Sequence, residues 1–125
     1  MKVSIRRKEE VTILDLSGRL VAGEAEPLRS SMRELIARGE TNIILNLANV
    51  PYIDSAGIGE LVRVLTAVRR HSGDVKLLHP PERVCDVLET VKLFTVFHIF
   101  WNESEALAAF ATPSNDSMEM DARAG

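Results

Sequence analysis

Apolar and polar residues follow two different periods along this chain, and the switches between them mark its elements. Val3 to Arg6 reads as a short strand and Lys8-Glu9-Glu10 as a polar turn. Val11 to Ser17 alternates with a period of two, placing Thr12, Leu14 and Leu16 on one face and Val11, Ile13 and Asp15 on the other. Gly18 ends this strand. Two strands joined by so short a polar link predict an antiparallel hairpin. The period then changes, because Ala25, Leu28, Met32, Leu35 and Ile36 recur at helical spacing. Pro27 is compatible only with the first turn, so this helix is expected from near Glu24 to Gly39.

Asn42 to Leu47 is a dense apolar run of strand length, as suits a strand buried on both faces. Asn49, Pro51, Gly57 and Gly59 mark a loop that turns into a second helix. Its expected buried stripe is Ile58, Leu61, Val62, Leu65 and Val68, with Glu60, Arg63, Ala67 and Arg70 on the far side. It stops near His71-Ser72-Gly73. Val75 to Leu78 reads as a strand. Pro81 suits the first residue of a third helix, whose stripe is Val84, Val87, Leu88 and Val91. Val96 to Phe100 is a short final strand. Asn102 and Glu105 have the spacing of a capping box for a last helix, docked by Ala106, Leu107 and Phe110.

From Ala111 the pattern dissolves. Residues 111–125 are polar and aperiodic and read as a disordered tail, which leaves one ordered domain over 1–110. The order β-β-α-β-α-β-α-β-α predicts a single α/β domain. Its sheet is mixed but mostly parallel, with about five strands and about four helices, and the first hairpin supplies an antiparallel edge.

Composition narrows the function. A chain of 125 residues can bury a core without metals or disulfides. The single cysteine, Cys85, excludes an intrachain disulfide and reads as a near-core apolar group. A net charge of −3 argues against nucleic acid as a direct partner. No apolar run is long enough for a membrane span, and no apolar segment follows the basic N-terminus as a secretory signal requires. A cytoplasmic location is the expectation.

Most catalytic constellations are missing. The chain has no phosphate loop, and Gly57-Ile58-Gly59 is too short for a dinucleotide fingerprint. Around Ser55 the chain reads Ile53-Asp54-Ser55-Ala56-Gly57, which lacks the first glycine of a nucleophile elbow. His71, His79 and His98 are scattered without ligand spacing, so neither metal nor cofactor is expected. Asp54-Ser55 stands out instead, because it falls where a buried strand ends and a helix starts. From the residues alone two readings of Ser55 stay open and compatible: an N-cap and an exposed phosphoacceptor. Ala56 and Gly57 are small enough to let another protein approach closely.

The stretch from Val50 to Phe100, with Asp54-Ser55-Ala56-Gly57-Ile58-Gly59 at its head, resembles the heart of a STAS domain (sulfate transporter and anti-sigma factor antagonist). Leu16-Ser17-Gly18-Arg19-Leu20 and the residues up to Leu28 are similar to the family's second strand running into its first helix. The similarity extends over roughly Lys2 to Phe110.

The resemblance implies a small anti-sigma factor antagonist in a partner-switching pathway. Such a protein is a kinase substrate and not an enzyme. It binds an anti-sigma factor serine kinase when Ser55 is dephosphorylated, and so releases a sigma factor; a serine phosphatase resets the switch. The implied partner surface comprises Asp54, Ser55, Ala56, Gly57, Gly59 and Val21. A scaffold or accessory subunit of a signalling or lipid-transport assembly is the alternative, and monomer and weak dimer both stay open. Two positions depart from the family pattern. Val21 stands where many antagonists carry an acidic residue, and Lys92 stands where relatives often end the third helix with glycine.

Overall fold

A computed structural model describes residues 1–111. Five strands form one sheet in the order β1-β2-β3-β4-β5. They are β1 (Lys2–Lys8), β2 (Val11–Ser17), β3 (Asn42–Asn49), β4 (Asp74–Leu78) and β5 (His98–Phe100). Only β1 runs antiparallel to its neighbour; the other pairings are parallel. The helices are α1 (Glu26–Ala37), α2 (Ser55–Arg69), α3 (Glu82–Thr90) and α4 (Glu103–Ala111), with a 3-10 turn at Leu93–Thr95. The predicted α/β architecture is therefore the one observed. The tail expected over 111–125 lies, from Thr112 onward, outside the described residues.

The sheet has two unequal faces. Leu14, Leu16, Ile43, Leu45, Val75 and Leu77 point to the side covered by α1, α2 and α3, and form the main core with Leu28, Leu35, Leu61, Leu65, Val84 and Leu88. Successive parallel crossovers in sequential strand order put all three helices on that side, as crossover handedness requires. Val11, Ile13, Ile44 and Leu78 point to the opposite side, where Ala106 and Leu107 of α4 cover them.

A charged network fixes α4. Arg6 grips Asp15 through Nε at 2.6 Å and reaches Glu103 at 2.8 Å, while Asn46 donates to Asp15 at 2.7 Å. Lys8 also meets Glu103, at 3.1 Å. The Arg6 guanidinium holds the Asp15 and Glu103 carboxyls below their ordinary range. Lys76, almost fully buried, packs its ammonium 4.6 Å from the centre of the Phe110 ring and 3.3 Å from Asp74. Asn102 caps α4 by accepting the Glu105 amide at 3.1 Å, as the capping-box spacing predicts.

Several local expectations need correction. Helix α1 starts at Glu26, two residues later than expected, with Pro27 in its first turn where its missing N–H costs nothing. Pro81 precedes α3 as its cap residue. The residues from Leu93 form a 3-10 turn, so the last strand shortens to His98–Phe100. In α3 only Val84 and Leu88 are fully buried; Val91 is 46% exposed.

The largest correction concerns α2, which is rotated. Its buried residues are Gly57, Glu60, Leu61, Val64, Leu65 and Val68, whereas Val62 is 39% exposed. The helix is apolar on more than one side, so apolar spacing alone does not fix its rotation. Glu60 is buried because Arg29 of α1 reaches across to it at 3.0 Å.

Candidate functional site

The start of α2 is built by two loops at the carboxyl ends of β2 and β3. The Leu20 amide donates to the Tyr52 carbonyl at 3.0 Å, and the Asp54 amide donates back to the Leu20 carbonyl at 3.3 Å. Leu20 and Ile53 thus form a short parallel bridge, and both are buried. The pairing of β2 with β3 is in this way prolonged beyond the sheet proper, which holds the 18–25 loop against the beginning of α2.

Asp54, not Ser55, is the helix cap. Its backbone is extended, and Oδ1 accepts the Gly57 amide at 2.9 Å. Oδ2 accepts the Ala22 amide of the neighbouring loop at 3.2 Å. These N–H groups, Gly57 first and Ala22 second, pull the Asp54 carboxyl below its ordinary range and keep it ionised at neutral pH. One carboxylate therefore caps the helix and staples the two loops together.

Ser55 is the first residue of α2 and is exposed. The N-cap reading of Ser55 is thereby corrected: of two adjacent residues able to cap, the aspartate takes the position. Among the described residues no side-chain hydrogen bond occupies the Ser55 hydroxyl. Ala56 and Gly59 are exposed beside it, and Val21 is half-buried in the loop stapled by Asp54.

Gly57 has a different place from the one expected. It is buried beneath the helix, and a Cβ there would overlap the Leu20 carbonyl oxygen and stand 2.7 Å from Ile53 Cγ1. It cannot present a contact to another protein; it allows the loop and helix to approach. At Gly59 a Cβ would meet nothing within 4 Å. The two glycines of one motif thus have opposite surroundings.

The other chemically suggestive residues lie elsewhere. The ring of His71 contacts the Ala67 carbonyl at 3.0 Å, and His98 is exposed on β5. Cys85 is half-buried, its Sγ donates to the Pro80 carbonyl at 3.4 Å, and burial pushes the thiol up. Among the described residues no group of three His, Cys, Asp or Glu side chains is placed to hold a metal. No described helix is long and apolar enough to cross a membrane.

The sequence reading missed three parts of the site. The Ala22 and Leu20 backbone contacts pair groups more than 30 residues apart, as with Ala22 and Asp54, and no local pattern announces them. Tyr52 is 41% exposed beside the site; an aromatic between Pro51 and Ile53 in a loop was a signal that could have marked it.

Known proteins share this fold. The STAS domain model matches residues 2–106, and the chain belongs to the STAS domain family. BtrV of Bordetella bronchiseptica, assigned as an anti-sigma factor antagonist, is 27% identical over 90% of this chain and 97% of its own length. The crystal structure of TM1081 from Thermotoga maritima, given the same assignment, superposes with a TM-score of 0.83 at 26% identity, covering 88% of this chain and 95% of that one. SpoIIAA, an anti-sigma factor antagonist described in unphosphorylated and phosphorylated forms, gives TM-scores of 0.69 and 0.68. At 22% identity, over 88% of this chain and 98% of the unphosphorylated SpoIIAA chain, that likeness shows the fold alone.

Proposed function

We propose that this chain is an anti-sigma factor antagonist whose binding surface is switched by phosphorylation of Ser55. With a free hydroxyl at Ser55 it binds an anti-sigma factor that is itself a serine kinase, and a sigma factor is released. Phosphorylation ends the binding, and a serine phosphatase restores it. The chain acts by binding and is a substrate of both enzymes.

The observation that carries this reading is the division of labour between Asp54 and Ser55. The carboxylate caps the helix and fixes the loops, so the neighbouring hydroxyl has no structural task and stands exposed. Exposed Ala56 and Gly59 give the surface a low profile on which another protein's backbone can settle. Val21 and Tyr52 lie on the two loops that flank it.

The switch follows from charge. A phosphoserine carries nearly two negative charges. At ~6 Å from the ionised Asp54 carboxylate they repel by ~1–6 kcal/mol, for effective dielectrics between that of water and ~20. The Gly57 amide is already bound by Asp54 and so is not free to hold the phosphate. A partner seated on Ser55 must then desolvate a dianion or clash with it. About 1.4 kcal/mol already costs tenfold in affinity.

Phosphosite mapping of the protein purified from its native cells tests this reading. A single phosphate on the peptide containing Ser55, absent from a Ser55→Ala strain, is the expected result. A phosphate confined to another residue contradicts it.

A further inference from the structure

We propose that the outer face of α2 is a docking surface for a carboxylate-bearing surface of the partner protein, met by Arg63, Arg69 and Arg70. The inference rests on the reading of the chain as an anti-sigma factor antagonist, and adds the chemistry that its partner must present.

The face is one continuous ridge. Ser55, Gly59, Val62, Thr66 and Arg70 follow one another at helical spacing and all are exposed. They span about 22 Å along the helix. Arg63 and Arg69 stand on the two flanks, with side chains 71% and 49% exposed. The helix has a single carboxylate, Glu60, and it is buried. A ridge that starts at Ser55 therefore carries cations and no exposed anion, in a chain whose net charge is −3.

Counter-charges within the chain leave these arginines loosely held. Arg63 Nε stops 3.9 Å from Glu60, which already receives Arg29 at 3.0 Å. Arg69 Nε lies 3.5 Å from Asp74, a carboxylate shared with Lys76. Arg70 has no ion pair among the described residues. By contrast Arg6 and Arg7 of β1 are closed at 2.6 and 2.7 Å by Asp15 and Glu40.

The surroundings select the occupant. Guanidinium groups pair with carboxylates through a fixed fork of N–H donors. Exposed Val62 beside them gives a folded protein surface apolar ground to rest on. A nucleic-acid backbone is disfavoured, because α3, the next helix on the same side of the sheet, exposes Glu82, Asp86 and Glu89 and repels a polyanion lying across the helices. An acidic protein surface placed on α2 alone avoids that repulsion, and the arginines draw it toward the Ser55 end of the ridge.

The test is stopped-flow association of the full chain with the anti-sigma factor kinase from the same organism, at about 50 mM and about 300 mM salt. Arg70→Glu and Arg38→Glu make a matched pair, since each replaces the residue that ends its helix and changes the charge equally. Arg63→Gln is a milder second variant, and circular dichroism confirms each fold. Arg70→Glu is expected to slow association at least about fivefold at low salt and less than about twofold at high salt, with Arg38→Glu within about twofold of the parent throughout. Arg63→Gln is expected to fall between them, and the parent's own association is expected to slow with salt. Equal rates for Arg70→Glu, Arg63→Gln and the parent, with Ser55→Glu still binding weakly, would overturn this inference and leave the antagonist reading standing. A parent that does not bind the kinase would overturn both. Equal slowing by Arg38→Glu would show a response to overall charge alone and contradict the proposal. So would binding of duplex DNA by the parent that Arg70→Glu abolishes, or self-association that Arg70→Glu abolishes, which would seat the acidic α3 of a second copy on the ridge.

Discussion

Asp54 Oδ1 accepts the Gly57 amide at 2.9 Å, and this bond closes the first turn of α2. The other oxygen of the same carboxylate holds the Ala22 amide. Loss of a capping side chain costs ~0.5–2 kcal/mol. Asp54→Ala is expected in the upper part of that range, because it also releases the 18–25 loop. Asp54→Asn keeps one acceptor for the Gly57 amide but turns its NH2 toward the Ala22 amide, so it preserves the cap, gives up the staple, and is expected to lose less than Asp54→Ala. Urea titration checks both values; equal losses for the two variants would mean that the staple or the charge, and not the cap, carries the effect.

The two glycines of the motif make opposite predictions. Gly57→Ala drives a methyl group into the Leu20 carbonyl and is expected to destabilise the fold by about 3 kcal/mol or more. Gly59→Ala meets open space and is expected to stabilise α2 by ~0.5–1 kcal/mol, the usual gain from removing a helical glycine. Thermal melts read both. If Gly59→Ala also weakens binding of the anti-sigma factor, the glycine is kept for the partner's approach and not for the fold.

Lys92 ends α3 in the left-handed region, with φ 62° and ψ 31°. A side chain there costs ~1–2 kcal/mol relative to a relaxed backbone, and glycine avoids that cost. Lys92→Gly is therefore expected to raise stability by up to about 1 kcal/mol, part of the gain being offset by glycine's greater freedom in the unfolded chain. A lower melting temperature for the variant would show that the lysine side chain holds the turn.

Acid sensitivity is expected to centre on Arg6. Asp15 and Glu103 are held below their ordinary range by this guanidinium, so their ionised forms favour the folded state. That contribution is complete above the unfolded carboxyl range, near pH 4, and fades as the pH falls through the lower folded values. The groups are partly exposed, which limits the pairing to about 1 kcal/mol. Arg6→Met is expected to lower stability at neutral pH and to flatten its fall between about pH 5 and about pH 3. An unchanged pH slope in urea titrations of the variant would contradict this assignment.

The alternation in Val11 to Ser17 and the apolar run in Asn42 to Leu47 made the sheet legible, because strands with a defined buried face leave a local record. Helix α2 was legible in extent but not in rotation. Ile58, Leu61, Val62, Val64, Leu65 and Val68 cover too wide an arc to choose a face, and the burial of Glu60 depends on Arg29, 31 residues away. Asp54 and Ser55 are adjacent and both able to cap, so their roles separate only through the Gly57 and Ala22 amides. The junction that carries the candidate site was readable, since a strand running into a small-residue helix start is a local pattern. The Leu20–Ile53 bridge that supports it was not.

The account stands most directly on how charge at Ser55 affects binding. The measurement is titration calorimetry of the parent, Ser55→Ala and Ser55→Glu against the anti-sigma factor kinase from the same organism, after circular dichroism has confirmed each fold. Since Asp54 and not Ser55 caps α2, both variants are expected to melt within a few degrees of the parent, a shift of under about 0.5 kcal/mol. Ser55→Ala is expected to bind as the parent does, and Ser55→Glu at least about tenfold more weakly, a loss of ~1.4 kcal/mol or more. A folded Ser55→Glu protein that binds the kinase as tightly as the parent would contradict the switch.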